Sequence, residues 1–138
     1  MHAAIPPPRK ASTWICDSCR EEIATIEEGW VEWLVRRVGD TWMGHGLRLV
    51  HHHSHSPASK CQYPQQAKHR PDDSVLLDLP LKSLLGPDGL MELLRMLAQG
   101  ELPQAEVIEM IKRLHIPGYE HARLDSTPAL AVGAIDLN

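Results

Sequence analysis

The first regular pattern along the chain is an alternation of apolar and polar side chains over residues 30–37. Alternation with period two is typical of a strand that turns one face toward a core. The apolar positions are Val31, Trp33 and Val35. Residues 38–41 have turn chemistry, so residues 42–51 are predicted to return as the second strand of a hairpin. Gly44 and Gly46 within that strand indicate a bulge or a close approach of two backbones.

The second half of the chain changes to a helical pattern. After Pro87, leucines recur at the spacing of one helix face, and Gly100 follows where a C-terminal cap is expected. These leucines are Leu90, Leu93, Leu94 and Leu97. Pro103 is predicted to open a second helix, and residues 119–124 a short third one. The buried face of the second helix is predicted to be Val107, Ile108, Ile111 and Leu114.

The segments between these patterns are less regular. Residues 54–73 are polar and contain three prolines, so they are predicted to form a loop. Residues 74–79 fit either a short strand or an extended linker. Residues 81–85 resemble one helical turn that Gly86 ends.

The candidate chemistry begins at Cys16 and Cys19, two thiols whose spacing forms a tight knuckle that presents both sulfurs to one ion. The chain has three cysteines, and the third, Cys61, follows a histidine-rich run at residues 51–55. Three thiolates and one imidazole are a usual ligand set of a closed, tetrahedral, structural zinc site. We therefore predict that Zn²⁺ is bound by Cys16, Cys19, Cys61 and one histidine of the run.

The alternation of the second strand favours His51 as that histidine. If Leu47 and Leu49 point inward, His51 and His53 point the same way. His51 lies nearer the ordered strand and is preferred, while His52 and His53 stay open as alternatives and His69 is a weaker one.

Other interpretations of the cysteines are less favoured. Thioredoxin-like motifs lie between a strand and a helix in a βαβ setting, which the flanks here do not show. Buried thiols without a metal are common, but a third thiol and a histidine cluster argue against that reading. A site filled by three cysteines and a histidine leaves no open position for catalysis by the metal.

The sequence Leu49-Val50-His51-His52 resembles the start of an HNH nuclease core, whose strand carries a histidine pair, and HNH proteins often contain CxxC knuckles. The resemblance implies that His52 would be a general base. The family also has a downstream asparagine and a helix with a metal-binding histidine. The only asparagine here is Asn138, so a metal-dependent hydrolase or HNH-like nuclease is kept as the alternative function.

Together these observations predict an α+β protein, with a small zinc-knuckle and β-hairpin module followed by a unit of three to four short helices. The predicted limits are a flexible arm at 1–13, the zinc module at 14–73, an acidic helical unit at 74–124 and a flexible tail at 125–138. All four tryptophans lie in the first third and the aliphatic residues crowd the second half, so two separate cores are expected.

The charged residues also differ between the two halves of the chain. Up to Arg70 the sequence has nine Lys/Arg and seven Asp/Glu, whereas from Pro71 onward it has five and eleven. Nucleic acid, if bound, would therefore contact residues 36–70, through Arg36, Arg37, Arg48, Lys60, Lys68 and Arg70. A protein partner would instead use the Leu/Met-rich helices.

The remaining expectations concern location and function. Three prolines at residues 6–8 interrupt the N-terminus before any apolar run, and no stretch reaches membrane-spanning length. We therefore expect the protein to be cytoplasmic and not to contact a membrane. We predict a small zinc-stabilised binding, adaptor or regulatory protein without catalytic activity, and the sequence implies no small-molecule substrate.

Overall fold

The computed structural model describes residues 13–55, 61–66, 70 and 74–124, and it confirms the α+β class. Five strands precede three helices within these ranges. The strands are β1 (Trp14–Ile15), β2 (Glu22–Ile23), β3 (Gly29–Val38), β4 (Thr41–His51) and β5 (Val75–Pro80). The helices are α1 (Gly86–Gln99), α2 (Gln104–His115) and α3 (Tyr119–Leu124). Short 3₁₀ turns occupy Ile26–Glu28, His53–His55 and Leu81–Leu84.

The predicted hairpin forms the main part of an antiparallel sheet with the order β4-β3-β5. Val31 of the central strand β3 lies opposite Leu49 of β4 and Leu79 of β5, so these three side chains share one face. The segment at residues 74–79, predicted as a strand or a linker, is thus a strand of this sheet. β1 and β2 form a separate two-stranded ladder.

Both glycines of β4 have the roles that the sequence indicated. The register between β3 and β4 shifts near Gly46, which has a φ of +72° where side chains are disfavoured. At Gly44, a Cβ atom would lie 2.9 Å from the Leu102 side chain and 3.0 Å from the Glu101 carbonyl oxygen. Gly44 therefore allows the loop between α1 and α2 to approach the strand.

The outer edge of β4 is covered by that loop, by α2 and by the knuckle. The Gly44 N–H donates to the Glu101 carbonyl (2.6 Å), and the Leu47 N–H donates to Glu106 Oε1 (2.9 Å). Two further bonds join Leu49 to Asp17 of the knuckle. Because an edge strand presents unpaired backbone groups, these contacts fix the knuckle and the helices to the same strand.

The helices begin and end close to the predicted positions, but one predicted inner residue is wrong. Gly100 caps α1 with a φ of +71°, and Leu93 and Met96 are buried. Leu94 is 41% exposed, because consecutive helix residues point about 100° apart and, of these two, only Leu93 reaches the cluster of buried side chains. In α2, Val107 and Leu114 are buried as predicted, while Ile108 and Ile111 are partly buried.

The expectation of two cores is also wrong. One cluster of buried side chains contains Trp14 and Val31 from the first half and Leu93 and Val107 from the second. The domain limits themselves stay a prediction, and the proposed arm and tail lie outside the described residues apart from Thr13. Across the described ranges, every helix is too short or too polar to span a lipid bilayer.

Candidate metal centre

The knuckle is the turn between β1 and β2. The Cys16 N–H donates to the Glu21 carbonyl (2.9 Å), and the Arg20 N–H donates to the Cys16 carbonyl (3.0 Å). Arg20 has a left-handed φ of 69°, which reverses the chain within a few residues. The N–H groups of Ser18 and Cys19 both lie 3.4 Å from Cys16 Sγ. The turn thus surrounds a sulfur with backbone donors, an arrangement that favours the thiolate.

The structure brings together all four predicted ligands. The donor atoms of Cys16, Cys19, His51 and Cys61 lie within 4.8 Å of one another. His51 Nδ1 is 3.4 Å from Cys19 Sγ and 3.8 Å from Cys61 Sγ. Around a tetrahedral zinc ion with ordinary bond lengths, neighbouring sulfur and nitrogen ligands are about 3.6 Å apart. The cluster can therefore hold a metal ion with little movement of its side chains.

The orientation of His51 suits a metal ligand. Its Nε2 lies 3.0 Å from the Glu22 carbonyl oxygen. A carbonyl only accepts hydrogen bonds, so Nε2 carries the proton and the lone pair of Nδ1 points toward the sulfurs. Histidines that bind metals commonly donate their second N–H to such an acceptor. The side chain of His51 is also buried, which holds the ring in this orientation.

The three cysteines are free thiols, and two of them have clearly shifted pKa values. Burial raises the pKa of Cys16, but hydrogen bonds from the Cys19, His51 and Ser18 backbones outweigh it and lower the pKa to about 7. At Cys19, burial dominates and, with the neighbouring thiols of Cys16 and Cys61, raises the pKa to about 11. A metal that binds all the thiols as thiolates must therefore displace at least the Cys19 proton near neutral pH.

A buried ionic network positions the segment that carries Cys61. Glu32, which has no exposed surface, accepts hydrogen bonds from Arg48 Nε (2.8 Å) and from the Tyr63 N–H (2.9 Å). Arg48 Nη2 donates to the Cys61 carbonyl (2.9 Å), and its guanidinium lies 3.6 Å from the centroid of the Tyr63 ring. Burial raises the pKa of Glu32, and the Arg48 charge opposes that rise. The alternation of β3 gave no sign that Glu32 is buried.

A second network clamps the knuckle to α2 and α3. Arg113 donates to Asp17 Oδ2 (2.8 Å) and, through two nitrogens, to both oxygens of Glu120 (2.8 and 2.9 Å). The Ile15 N–H donates to Glu120 Oε2 (3.1 Å), and Trp14 Nε1 donates to the Arg113 carbonyl (2.9 Å). Burial alone would raise the pKa of Glu120, but its bonds to Arg113 and Arg123 lower it to about 2. Sequence reasoning did not find this clamp.

The other histidine candidates lie apart from this cluster. His52 packs edge-on against Trp30, with ring centroids 4.7 Å apart, and its Nδ1 is 2.9 Å from Ser54 Oγ. His53 is exposed, and His69 lies outside the described residues. Within the described ranges, the group of Cys16, Cys19, His51 and Cys61 is the one set of three or more His, Cys, Asp or Glu side chains able to hold a metal. His52, the base of the HNH interpretation, is not a member of that group.

The basic residues expected to contact nucleic acid are partly engaged inside the fold. Arg48 pairs with Glu32, and Arg70 donates to the Pro64 carbonyl (2.7 Å) as well as to the carbonyls of Gln65 and Ser74. Lys60 and Lys68 lie outside the described residues. Near the hairpin tip, the Arg37 guanidinium lies 5.8 Å from the ring centroid of the exposed Trp42.

Scans against protein-family models, curated proteins and solved structures find no match to this chain. The function proposed below therefore depends on the geometry of the site itself.

Proposed function

We propose that this protein is a zinc-stabilised binding protein whose metal has a structural role and no catalytic one. The ion is Zn²⁺, held by Cys16, Cys19, His51 and Cys61. The observation that carries the proposal is the proximity of these four donors, which belong to three separate parts of the chain.

The donor set supports zinc. Thiolates favour zinc, copper(I) and iron–sulfur clusters, while an imidazole among three thiolates is a common structural zinc set. The carboxylates and waters that Mg²⁺ and Ca²⁺ prefer are not part of this donor set.

A structural role follows from the number of ligands. Four protein donors complete a tetrahedral shell, so no position remains for a water or a substrate. The ion would instead join the knuckle, the end of β4 and the Cys61 segment. Binding free energy of this kind contributes directly to folding.

A protein is the better-supported partner. Arg48 and Arg70 are engaged internally, and the second half of the chain is acidic, which disfavours a nucleic-acid surface there. Large apolar side chains are exposed at the hairpin, where Trp42 is 49% exposed, and on α1, where Met91 is 64% exposed. Tryptophan and methionine are enriched in protein interfaces. We place the protein in the reducing cytoplasm because its thiols are unpaired.

The first test is elemental analysis of protein purified without chelators and dialysed to remove weakly held ions. We expect about one zinc per chain, and we expect a strong chelator to unfold the protein, as followed by circular dichroism. Protein that holds no metal and stays fully folded would contradict the proposal.

The nuclease alternative has its own assay. The protein is incubated with supercoiled, linear and single-stranded DNA and with RNA, in Mg²⁺, Mn²⁺ or Zn²⁺, with His52→Ala as the matched control. We expect no cleavage. Cleavage that disappears in His52→Ala would replace the binding function with the enzymatic one.

A further inference from the structure

Three histidines, His52, His53 and His55, follow the proposed ligand His51 in the sequence. They lie outside the buried cluster of Cys16, Cys19, His51 and Cys61, yet they are close together on a surface turn. We propose that His52 and His55 form a second, exposed and exchangeable site for a transition-metal cation such as Zn²⁺ or Ni²⁺. His53 lies beside them, with its ring centroid 4.2 Å from that of His52.

The backbone places the two imidazoles on the same side of the turn. The His55 N–H donates to the His52 carbonyl (2.8 Å), which closes a 3₁₀ turn. Residues three apart in such a turn lie one above the other. The side chains show the same convergence, because both Nδ1 atoms contact Ser54 Oγ, at 2.9 Å for His52 and 3.1 Å for His55.

The turn is held at both sides by the rest of the fold. The His52 N–H donates to the Glu28 carbonyl (2.8 Å), and the His53 N–H donates to Gln62 Oε1 (2.8 Å). Trp30 packs against the ring of His52. Since the backbone is already ordered, a cation that binds here does not have to order it, and less conformational entropy is lost on binding.

The hydrogen bonds around Ser54 are compatible with neutral imidazoles, which are the form that binds metals. The Ser54 N–H lies 3.3 Å from His52 Nδ1, so this nitrogen is an acceptor. The Ser54 hydroxyl has one hydrogen, which can be donated to His52 while His55 Nδ1–H donates to the oxygen. A cation would replace the hydroxyl as the common partner of the two rings once the His55 proton had moved from Nδ1 to Nε2, which frees the Nδ1 lone pair.

The chemistry of the donors selects the class of cation. Imidazoles bind zinc, copper and nickel, whereas Mg²⁺ and Ca²⁺ prefer oxygen ligands. Ser54 and His55 are exposed, so an ion bound here can exchange with solvent, in contrast to an ion enclosed by the buried cluster. Two imidazoles without a thiolate also predict weaker binding than at the buried cluster.

The test is calorimetric titration with Zn²⁺, and separately with Ni²⁺, of protein that already contains one tightly held zinc. We expect a second, weaker binding event of about one ion per chain. The double substitution His52→Ala/His55→Ala should abolish this event, and His55→Ala alone should weaken it by about tenfold or more. His121→Ala, which removes a histidine from α3, should leave it unchanged.

Absence of a second event in the unsubstituted protein, or its persistence in the double variant, would overturn the inference. The result is separable from the proposed function. If the purified protein holds no tightly bound zinc, the same titration is made on that protein. A binding event that then depends on His52 and His55 keeps the inference, while the zinc-stabilised function fails.

Discussion

The metal-centre end of the molecule and the α1–α2 helix pair are held together by different interactions. Around the metal centre, the buried side chains include charged ones, and Arg113 and Glu120 are only 5% and 2% exposed. Between the helices, the buried side chains are apolar, as at Leu93, Met96 and Val107. The first kind of contact needs a specific partner for every group, whereas the second depends on volume and can relax. Removing one group at the metal end should therefore leave its partners uncompensated. Truncating one side chain between the helices should be partly compensated by movement of its neighbours.

The largest effect is expected from removing one metal ligand. Cys61→Ser should lower zinc affinity by more than about 100-fold, because loss of a direct ligand exceeds the effect of losing an outer hydrogen bond. Cys16→Ser should do the same, and both variants should melt at lower temperature. Competition with a chromophoric chelator gives the affinities, and Ser18→Ala, within the same knuckle, is the control. If Cys61→Ser keeps its zinc affinity and its melting temperature, Cys61 is outside the site and the contrast between the two ends loses its main support.

The next effect comes from breaking the clamp between the knuckle and the helices. Arg113→Met would leave Glu120 buried without its main partner, and we expect a loss of about 3–5 kcal/mol in the free energy of unfolding. Arg95→Met is the matched control, because Arg95 is 51% exposed and its ion pair with Glu92 is on the surface. That substitution should change stability by less than about 1 kcal/mol. Similar small losses for both variants in urea denaturation would mean that the clamp is not a determinant of stability.

The helix end is probed by two neighbouring leucines. Leu93 has no exposed surface, so Leu93→Ala should cost about 2–5 kcal/mol. Leu94 is 41% exposed, and Leu94→Ala should cost less than about 1 kcal/mol. Equal losses would show that α1 is rotated about its axis, so that Leu94 faces the core as well as Leu93.

The smallest effect is expected from a change of one pH unit, which should act on the metal end through its thiols. Zinc binding displaces protons from thiols, so affinity should fall as the pH falls, by about 1.4 kcal/mol per pH unit for each proton displaced. The pKa of Cys16 is about 7 and that of Cys19 is about 11. Between pH 7 and 9, zinc therefore displaces mainly the Cys19 proton, whereas below pH 7 it displaces the protons of both thiols. Chelator competition between pH 6 and 9 should show a steeper dependence below pH 7. A zinc affinity that does not change with pH would contradict thiolate ligation.

Local patterns were sufficient to predict much of the site and of the fold. Cysteine spacing indicated the knuckle, and alternation along β4 together with nearness to the ordered strand favoured His51, while His52 and His53 stayed open as alternatives. Glycine and proline positions indicated the helix ends and the irregularities of β4. Each of these features depends on residues that are close in sequence or on a simple period.

The features that were missed depend on contacts between distant parts of the chain. Arg113 bonds to Asp17, which is ninety-six residues away, and no local pattern marks that pair. Glu32 occupies a polar position of an alternating strand, which is normally exposed, and its burial is explained by hydrogen bonds from Arg48 on β4 and from the Tyr63 N–H. On α1, Leu93 and Leu94 both fit an apolar helix face, and only the position of the core in the folded chain distinguishes the buried Leu93 from the exposed Leu94.

X-ray absorption at the zinc edge tests the central claim most directly, using protein that holds one tightly bound zinc. We predict three sulfur ligands at about 2.3 Å and one nitrogen ligand at about 2.0–2.1 Å, with no oxygen ligand. In Cys61→Ser, any zinc that remains should show two sulfur ligands. An oxygen ligand in the unsubstituted protein, or fewer than three sulfurs, would contradict a closed structural site formed by Cys16, Cys19, His51 and Cys61.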